Sequence, residues 1–236
     1  MEEDKRIRYS RMIAIPEIGR AGVEKLNNSK VAVVGCGALG SVCAMYLAGA
    51  GVGNLLIADF DTIDISNLQR QLFFDTAQAG KSKANILAQR ITALNPDCKV
   101  NAVEKMITAG LASELFKGCD FVIDATDNPS SKNMTDQTCS ELEIPYCIGG
   151  VSEFRGQVMS CAPGTAKYSD IFSPQTAGQG FTPCSLGGVM GPAAGVIACL
   201  QASEAIKHLT GAGEMLCNKI FMIDLLTMKS STLEVG

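Results

Sequence analysis

The chain has 236 residues, 47% of them apolar, with 24 acids against 20 bases and a formal net charge of −4. That length supports one full hydrophobic core. The acidic balance excludes a general nucleic-acid surface, because phosphate contacts need a basic stripe.

The opening MEEDKRIRYSR is charged and has no apolar core of the secretory kind. The longest strongly apolar run, VMGPAAGVIACL at 189–200, is too short to cross a bilayer and contains a proline. A cytoplasmic protein without membrane contact is the expectation. Ten cysteines are scattered through predicted strands and helices with no CxxC pair, which reads as small buried hydrophobes rather than a disulfide framework or a zinc site.

In chain order, residues 1–30 are expected to form an N-terminal helical segment. VAVVG (31–35) reads as a buried strand and ALGSVCAMYLAGA (38–50) as a helix rich in small residues. NLLIADF then gives a second strand ending in Asp59, which completes a βαβ unit. GKSKANILAQRITALN (80–95) carries apolar residues at helical spacing and stops at Asn95-Pro96. KVNAVEKMI (99–107) is a predicted third strand, LASELFKG a short helix and CDFVIDAT a fourth strand. A helix is expected from Pro129 to Leu142 and a fifth strand at IPYCIGG. Up to residue 150 this alternation predicts a Rossmann-like, doubly wound, mostly parallel sheet.

The pattern then changes. EFRGQVMSCA (153–162) reads as a strand entered from a turn, and residues 163–183 as a long loop of the lid or flexible kind. A helix is predicted from Pro192 to Leu209, then a hairpin with its turn at Asp224–Thr227. These antiparallel strands would extend the same sheet, so residues 151–236 join 31–150 in one domain.

The turn GCGALG (35–40) has the form of a nucleotide-binding loop. Gly35 allows the tight turn, Gly37 lets the backbone approach a phosphate, and Gly40 lets helix and strand pack closely. The helix N-terminus that follows offers free N–H groups to an anion. Asp59 fits the ribose-binding position. These features do not separate NAD, FAD and ATP, but DFDTIDISNLQRQ (59–71) adds residues a pyrophosphate does not need. Arg70 and Lys83 flank a short turn, with Asn67 beside them, as if around a chain of phosphates. Lys81 reads as a solvated helix residue. DATDNPS (124–130) ends the fourth strand at the ligand-binding edge, so Asp127 is placed to hold Mg²⁺. Asp127 or Asn128 can equally serve as the N-cap, with Pro129 at the first helical position.

RYSR (8–11), GCGALG, AGVGNLLIADFD (50–61), SNLQRQ (66–71), GKSKA (80–84), DATDN (124–128) and CSLGGVMGPAAGVIACLQASEAIK (184–207) together resemble the MoeB/ThiF/HesA-type adenylyltransferases, bacterial relatives of the ubiquitin-activating enzymes. The resemblance covers nearly the whole chain. It implies ATP-dependent adenylation of the C-terminal carboxylate of a small ubiquitin-like sulfur-carrier protein ending in Gly-Gly, in thiamin or molybdopterin sulfur transfer. It also implies a homodimer. By position, Asp59 would bind ribose and Asp61 line the site. Asn67, Arg70 and Lys83 would bind phosphates with Gln71 nearby, Asp127 would bind Mg²⁺, and Arg11 would reach into the neighbour's site.

Many family members hold a structural zinc with two CxxC pairs. Here Cys161 stands alone in the first of those regions, so no zinc is expected. Cys184 matches a position that links covalently to the carrier in some relatives, and it reads equally well as an inert thiol. His208, the single histidine, falls at a predicted helix C-terminus, where it would interact with the helix dipole. A nicotinamide-dependent oxidoreductase on the same βαβ unit and a non-catalytic carrier-binding module are the alternatives.

Overall fold

The structure, a computed structural model, describes residues 3–172 and 188–235. Three short helices come first: α1 (Glu3–Arg8), α2 (Ser10–Ile13) and α3 (Gly19–Asn28). The chain then alternates through β1 (Lys30–Val34), α4 (Gly40–Ala50), β2 (Asn54–Ala58), α5 (Lys83–Leu94), β3 (Lys99–Val103), α6 (Ala109–Phe116), β4 (Phe121–Asp124), α7 (Pro129–Glu141) and β5 (Tyr146–Ser152). It continues with β6 (Arg155–Cys161), α8 (Tyr168–Ile171), α9 (Gly191–Thr210), β7 (Lys219–Asp224) and β8 (Lys229–Glu234).

The strands form one sheet in the order β3-β2-β1-β4-β5-β6-β7-β8. The β3 to β5 half is parallel, and β6, β7 and β8 add antiparallel strands. This is the Rossmann-like arrangement with antiparallel extension that the pattern predicted. The inner parallel strands β1, β2, β4 and β5 are mostly buried because helices cover both of their faces, whereas the edge strand β3 carries Lys99 and Asn101 and is partly exposed. In β1, Val31 and Val33 face a core shared with Leu47 of α4, Leu87 of α5 and Ile197 of α9. Ala32 and Val34 face the opposite core with Phe116 of α6 and Cys139 of α7.

Two boundaries differ from the sequence reading. The third strand stops at Val103 instead of running to 107. Its partner β2 ends at Ala58, opposite Val103, and the last main-chain bond is Asp59 N to Val103 O at 3.0 Å. Beyond that point β3 has nothing to pair with. The region read as a loop over 163–183 contains helix α8, held at its start by the Asp170 carboxylate, which accepts from Lys167 N at 2.8 Å. The rest of that region from residue 173 lies outside the described residues. The hairpin is as expected: Asp224 pairs with Lys229, and the Asp224 carboxylate accepts from Leu226 N at 2.9 Å across the turn.

Candidate active site

A cleft of about 630 Å³ opens at the carboxyl ends of β1, β2 and β4. The loop after β1 forms its floor. Gly35 has φ +89°, which a side chain rarely adopts, and it makes the turn out of the strand. Gly37 lines the cleft, and a Cβ there would reach only the Gln71 amide at 3.4 Å. Gly40 sits behind the turn, outside the cleft. A Cβ on it would lie 1.7 Å from Gly35 O, which fits the close-packing role expected of it within the nucleotide loop.

Asp59 follows β2 directly. Its two carboxylate oxygens accept from Cys36 N at 2.7 Å and Asp61 N at 2.8 Å, which fixes the side chain at the cleft wall. Burial pushes its pKa above the ordinary aspartate value, although both N–H groups and Lys83 oppose that shift. The segment after it is folded back on the start of α5. Ile63 is buried, Ile63 N donates to Lys81 O at 2.9 Å, and Lys83 N donates to Asp61 O at 3.1 Å. Lys83 is thereby carried into the cleft, where its buried ammonium pairs with Asp61 at 3.0 Å. Lys81 is exposed and off the cleft lining, as a solvated residue should be.

A single 3₁₀ turn at Ile65–Asn67 is capped by Asp64, which accepts from Ser66 N at 2.8 Å. It presents Asn67 and Arg70 to the cleft. Arg70 Nη1 donates to Ser66 O at 3.1 Å, which ties the guanidinium to its own turn. Behind it, a Cβ on Gly191 would meet Gln69 O at 2.9 Å, so the start of α9 abuts the Arg70 backbone closely. Gln71 is 4% exposed, and its buried Oε1 has no hydrogen-bond partner among the described residues.

The turn after β4 separates two acids. Asp124 is fully buried. It accepts from Thr126 N at 3.0 Å, Thr126 Oγ1 at 2.7 Å and Thr135 Oγ1 at 2.6 Å, and it pairs with Lys132 at 3.2 Å. Asp127 is exposed in the cleft. The N-cap of α7 is Asn128, whose Oδ1 accepts from Ser131 N at 2.9 Å, with Pro129 beginning the helix. Asp127 is therefore not occupied as the cap. Among the described residues no group of three or more His, Cys, Asp or Glu could hold a metal. A single carboxylate still suits Mg²⁺ when phosphate and water oxygens complete its shell.

The sequence reading missed Lys132, which lines the cleft and donates to Asp124, to Thr126 O at 2.7 Å and to Gly149 O at 2.8 Å. The signal was an acid ending a fully apolar strand, which demands a buried cation. It also missed the wall formed by Phe60, Met106 and Ile107, created by the early end of β3. Arg11 is exposed on α2 and does not line this chain's cleft. Cys184 lies outside the described residues. His208 is at the C-terminus of α9 as expected, but its ring packs on Phe121 with centroids 5.5 Å apart. Burial lowers its pKa, and the nearby Asp120 carboxylate opposes that shift. The other nine cysteines are free, and burial raises the thiol pKa of Cys36, Cys43 and Cys147 among them.

Residues 9–236 match the ThiF family. The chain belongs to the ThiF family. Among its relatives in that family is the probable adenylyltransferase/sulfurtransferase MoeZ of Mycobacterium tuberculosis, 37% identical over 97% of this chain. The chain spans only 59% of MoeZ. It is 34% identical to the molybdopterin-synthase adenylyltransferase of Haemophilus influenzae, covering 97% of this chain and 94% of that one. It is 37% identical to the sulfur carrier protein ThiS adenylyltransferase of Escherichia coli, covering 89% and 85%. The ThiF fold is seen again in the crystal structure of E. coli MccB with ATP, with a TM-score of 0.80, 24% identity and coverage of 92% of this chain and 66% of that one. Among the described residues of this ThiF-family chain, no helix is long and apolar enough to cross a membrane.

Proposed function

We propose that this chain activates a small ubiquitin-like sulfur-carrier protein by adenylating its C-terminal Gly-Gly carboxylate with ATP. The observation that carries the reading is the convergence of Gly37, Asp59, Asn67, Arg70, Lys83 and Asp127 on one cleft at the carboxyl edge of the sheet. ATP fits this lining. The fixed Asp59 carboxylate suits ribose hydroxyls, the apolar wall at Phe60, Met106 and Ile107 suits a base, and Asn67, Arg70 and Lys83 suit phosphates. Asp61 holds the Lys83 ammonium in place, and Gln71 lies beneath the glycine turn. Asp127 would hold Mg²⁺, which offsets phosphate charge when bound.

In the reaction, a carrier carboxylate oxygen attacks the α-phosphorus, the bond to the β-phosphate oxygen breaks, and pyrophosphate leaves with its electron pair. The attacking carboxylate is already ionised near neutral pH, so no general base is needed. The protein's part is positioning and charge neutralisation. Residues 1–236 act in this reading as one adenylation unit working as a homodimer, with Arg11 crossing to the neighbour's cleft. Adenylation needs no thiol, so a covalent role for Cys184 would follow formation of the acyl-adenylate. Thiamin and molybdopterin sulfur transfer are the pathways that the names of the E. coli and H. influenzae relatives support.

The test is exchange of labelled pyrophosphate into ATP in the presence of ThiS-type or MoaD-type carriers. The wild type is expected to exchange with one of them. Arg70→Ala and Asp127→Ala are each expected to lose roughly two to three orders of magnitude in rate, the effect of removing a charged group from a transition state. Near-normal exchange in either folded variant would show that the phosphate site lies elsewhere.

A further inference from the structure

Arg11 sits on a helix that cannot place itself. Helix α2 has four residues and buries none of them. Its main-chain support begins at Tyr9, whose carbonyl accepts from Met12 N at 3.0 Å and Ile13 N at 2.9 Å. Tyr9, by contrast, is 1% exposed and clamped on every side. Its hydroxyl accepts from Asn95 Nδ2 at 2.9 Å, and the same Nδ2 donates to Ala48 O at 2.8 Å. Its ring lies on Gly51, where a Cβ would come within 2.9 Å of it and where φ is +97°. Around it, Arg8 donates to Leu94 O at 2.8 Å and Lys5 pairs with Asp97 at 3.5 Å.

These contacts fall at particular places. Gly51 caps the C-terminus of α4, and Asn95 caps the C-terminus of α5. The N-termini of the same two helices frame the nucleotide cleft, through the glycine turn and Lys83. Tyr9 thus references Arg11 to the two helices that define the cleft, but from their far ends. Helix α4 has 11 residues, so the Tyr9 ring lies about 16 Å along it from the glycine turn. Arg11 is exposed and does not line its own cleft.

We propose that Tyr9, locked by Asn95 and Gly51, is the positioning residue that presents Arg11 to the cleft of a partner protomer. The proposal rests on the reading of the chain as a dimeric adenylyltransferase with Arg11 acting in trans. Removal of the hydroxyl orphans one Asn95 N–H and loosens the start of α2 without emptying the ring's site. A displacement of that kind in a group that stabilises a transition state lowers kcat with little effect on KM for ATP.

Heterodimers purified through two different affinity tags test this, with carrier-dependent pyrophosphate exchange as the readout. One protomer carries Arg70→Ala, so each heterodimer has a single working cleft. When Tyr9→Phe is on the other protomer, the working cleft receives Arg11 from a chain with intact Tyr9. Its kcat is expected to equal that of the wild-type/Arg70→Ala heterodimer. When Tyr9→Phe is on the same protomer as Arg70→Ala, the working cleft receives the loosened Arg11, and kcat is expected to fall about 10-fold. Equal loss in both arrangements, or loss in neither, overturns the proposal. Arg11→Ala in the same two placements is the separate check on the underlying reading. If its effect does not depend on placement, it is the trans action of Arg11 that fails. Should Tyr9→Phe not fold, Asn95→Ser withdraws the donor while leaving the ring in place, and the same two arrangements decide.

Discussion

Burial pushes the Asp59 carboxyl above its ordinary range while its two backbone donors fix it at the cleft wall, where we propose that it meets ribose. The two consequences have opposite signs. For stability, a raised folded pKa means that the native state binds more protons than the unfolded chain between the two values, so Asp59 contributes stability at low pH that is lost as pH rises through its folded pKa. For ligand binding, the ionised carboxylate is the better acceptor for ribose hydroxyls, so affinity for ATP falls as pH drops through that same raised pKa. KM for ATP is expected to climb on acidification from a higher pH than an unperturbed aspartate would dictate. Asp59→Asn should have a raised KM whose pH profile lacks that step, which also separates Asp59 from titration of ATP itself. Superimposable wild-type and variant profiles would show that Asp59 does not contact the nucleotide. This residue was legible because its position at the end of the second strand of a βαβ unit has one geometric outcome. Arg11 was placed only by resemblance, since nothing in a short exposed helix says what it faces.

At the level of elements, the buried pair of Asp124 and Lys132 joins the end of β4, the first turns of α7 and, through Gly149 O, the middle of β5. Every Lys132 donor is used. Lys132→Met fills similar space and leaves the Asp124 carboxylate without its cation, which typically costs about 3–5 kcal/mol for a buried pair. Urea unfolding should read that loss at unchanged m-value, and a loss below about 1 kcal/mol would mean that the three hydroxyl and amide donors to Asp124 suffice on their own. The sequence held this pair in plain view as an acid closing an apolar strand, yet the spacing of eight residues crosses a turn and a helix start, where sequence periodicity says nothing about contact. The same limit explains the other departures. The third strand reads from sequence as running to residue 107, but a strand persists only while a neighbour pairs with it, and β2 stops at Ala58. Helix α8 is too short for a period to register, and its N-cap is Lys167 rather than the Ser, Thr, Asp or Asn that marks helix starts. The longer elements, α4, α5, α7 and α9, were readable because each carries several turns of apolar spacing or a proline at its start.

Across the whole molecule, the parallel half of the sheet builds the nucleotide cleft, and the antiparallel half continues it through the β5–β6 pairing, braced by two buried carboxylates. Asp136 of α7 accepts from the Tyr146 hydroxyl on β5 and from Tyr168 N of α8 at 3.0 Å. Glu204 of α9 accepts from Ser160 Oγ on β6 at 2.7 Å and from Leu216 N at 2.6 Å, and it pairs with Lys207. These polar knots sit beside two free cysteines: Cys161 lies in the field of Asp136 and Cys217 in that of Glu204, and burial raises both thiols. Among the described residues no group of three or more His, Cys, Asp or Glu could hold a metal. The antiparallel half is therefore expected to fold through its polar knots and its core without a metal cross-link. Prolonged dialysis against a strong chelator should leave the melting temperature unchanged, and elemental analysis should find zinc well below one per chain. Asp136→Ala should then lower the melting temperature far more than the chelator does, because it orphans the buried Tyr146 hydroxyl and frees α8. One tightly held zinc per chain, with a loss of melting temperature on its removal, would reverse this account and draw Cys184 into the ligand set.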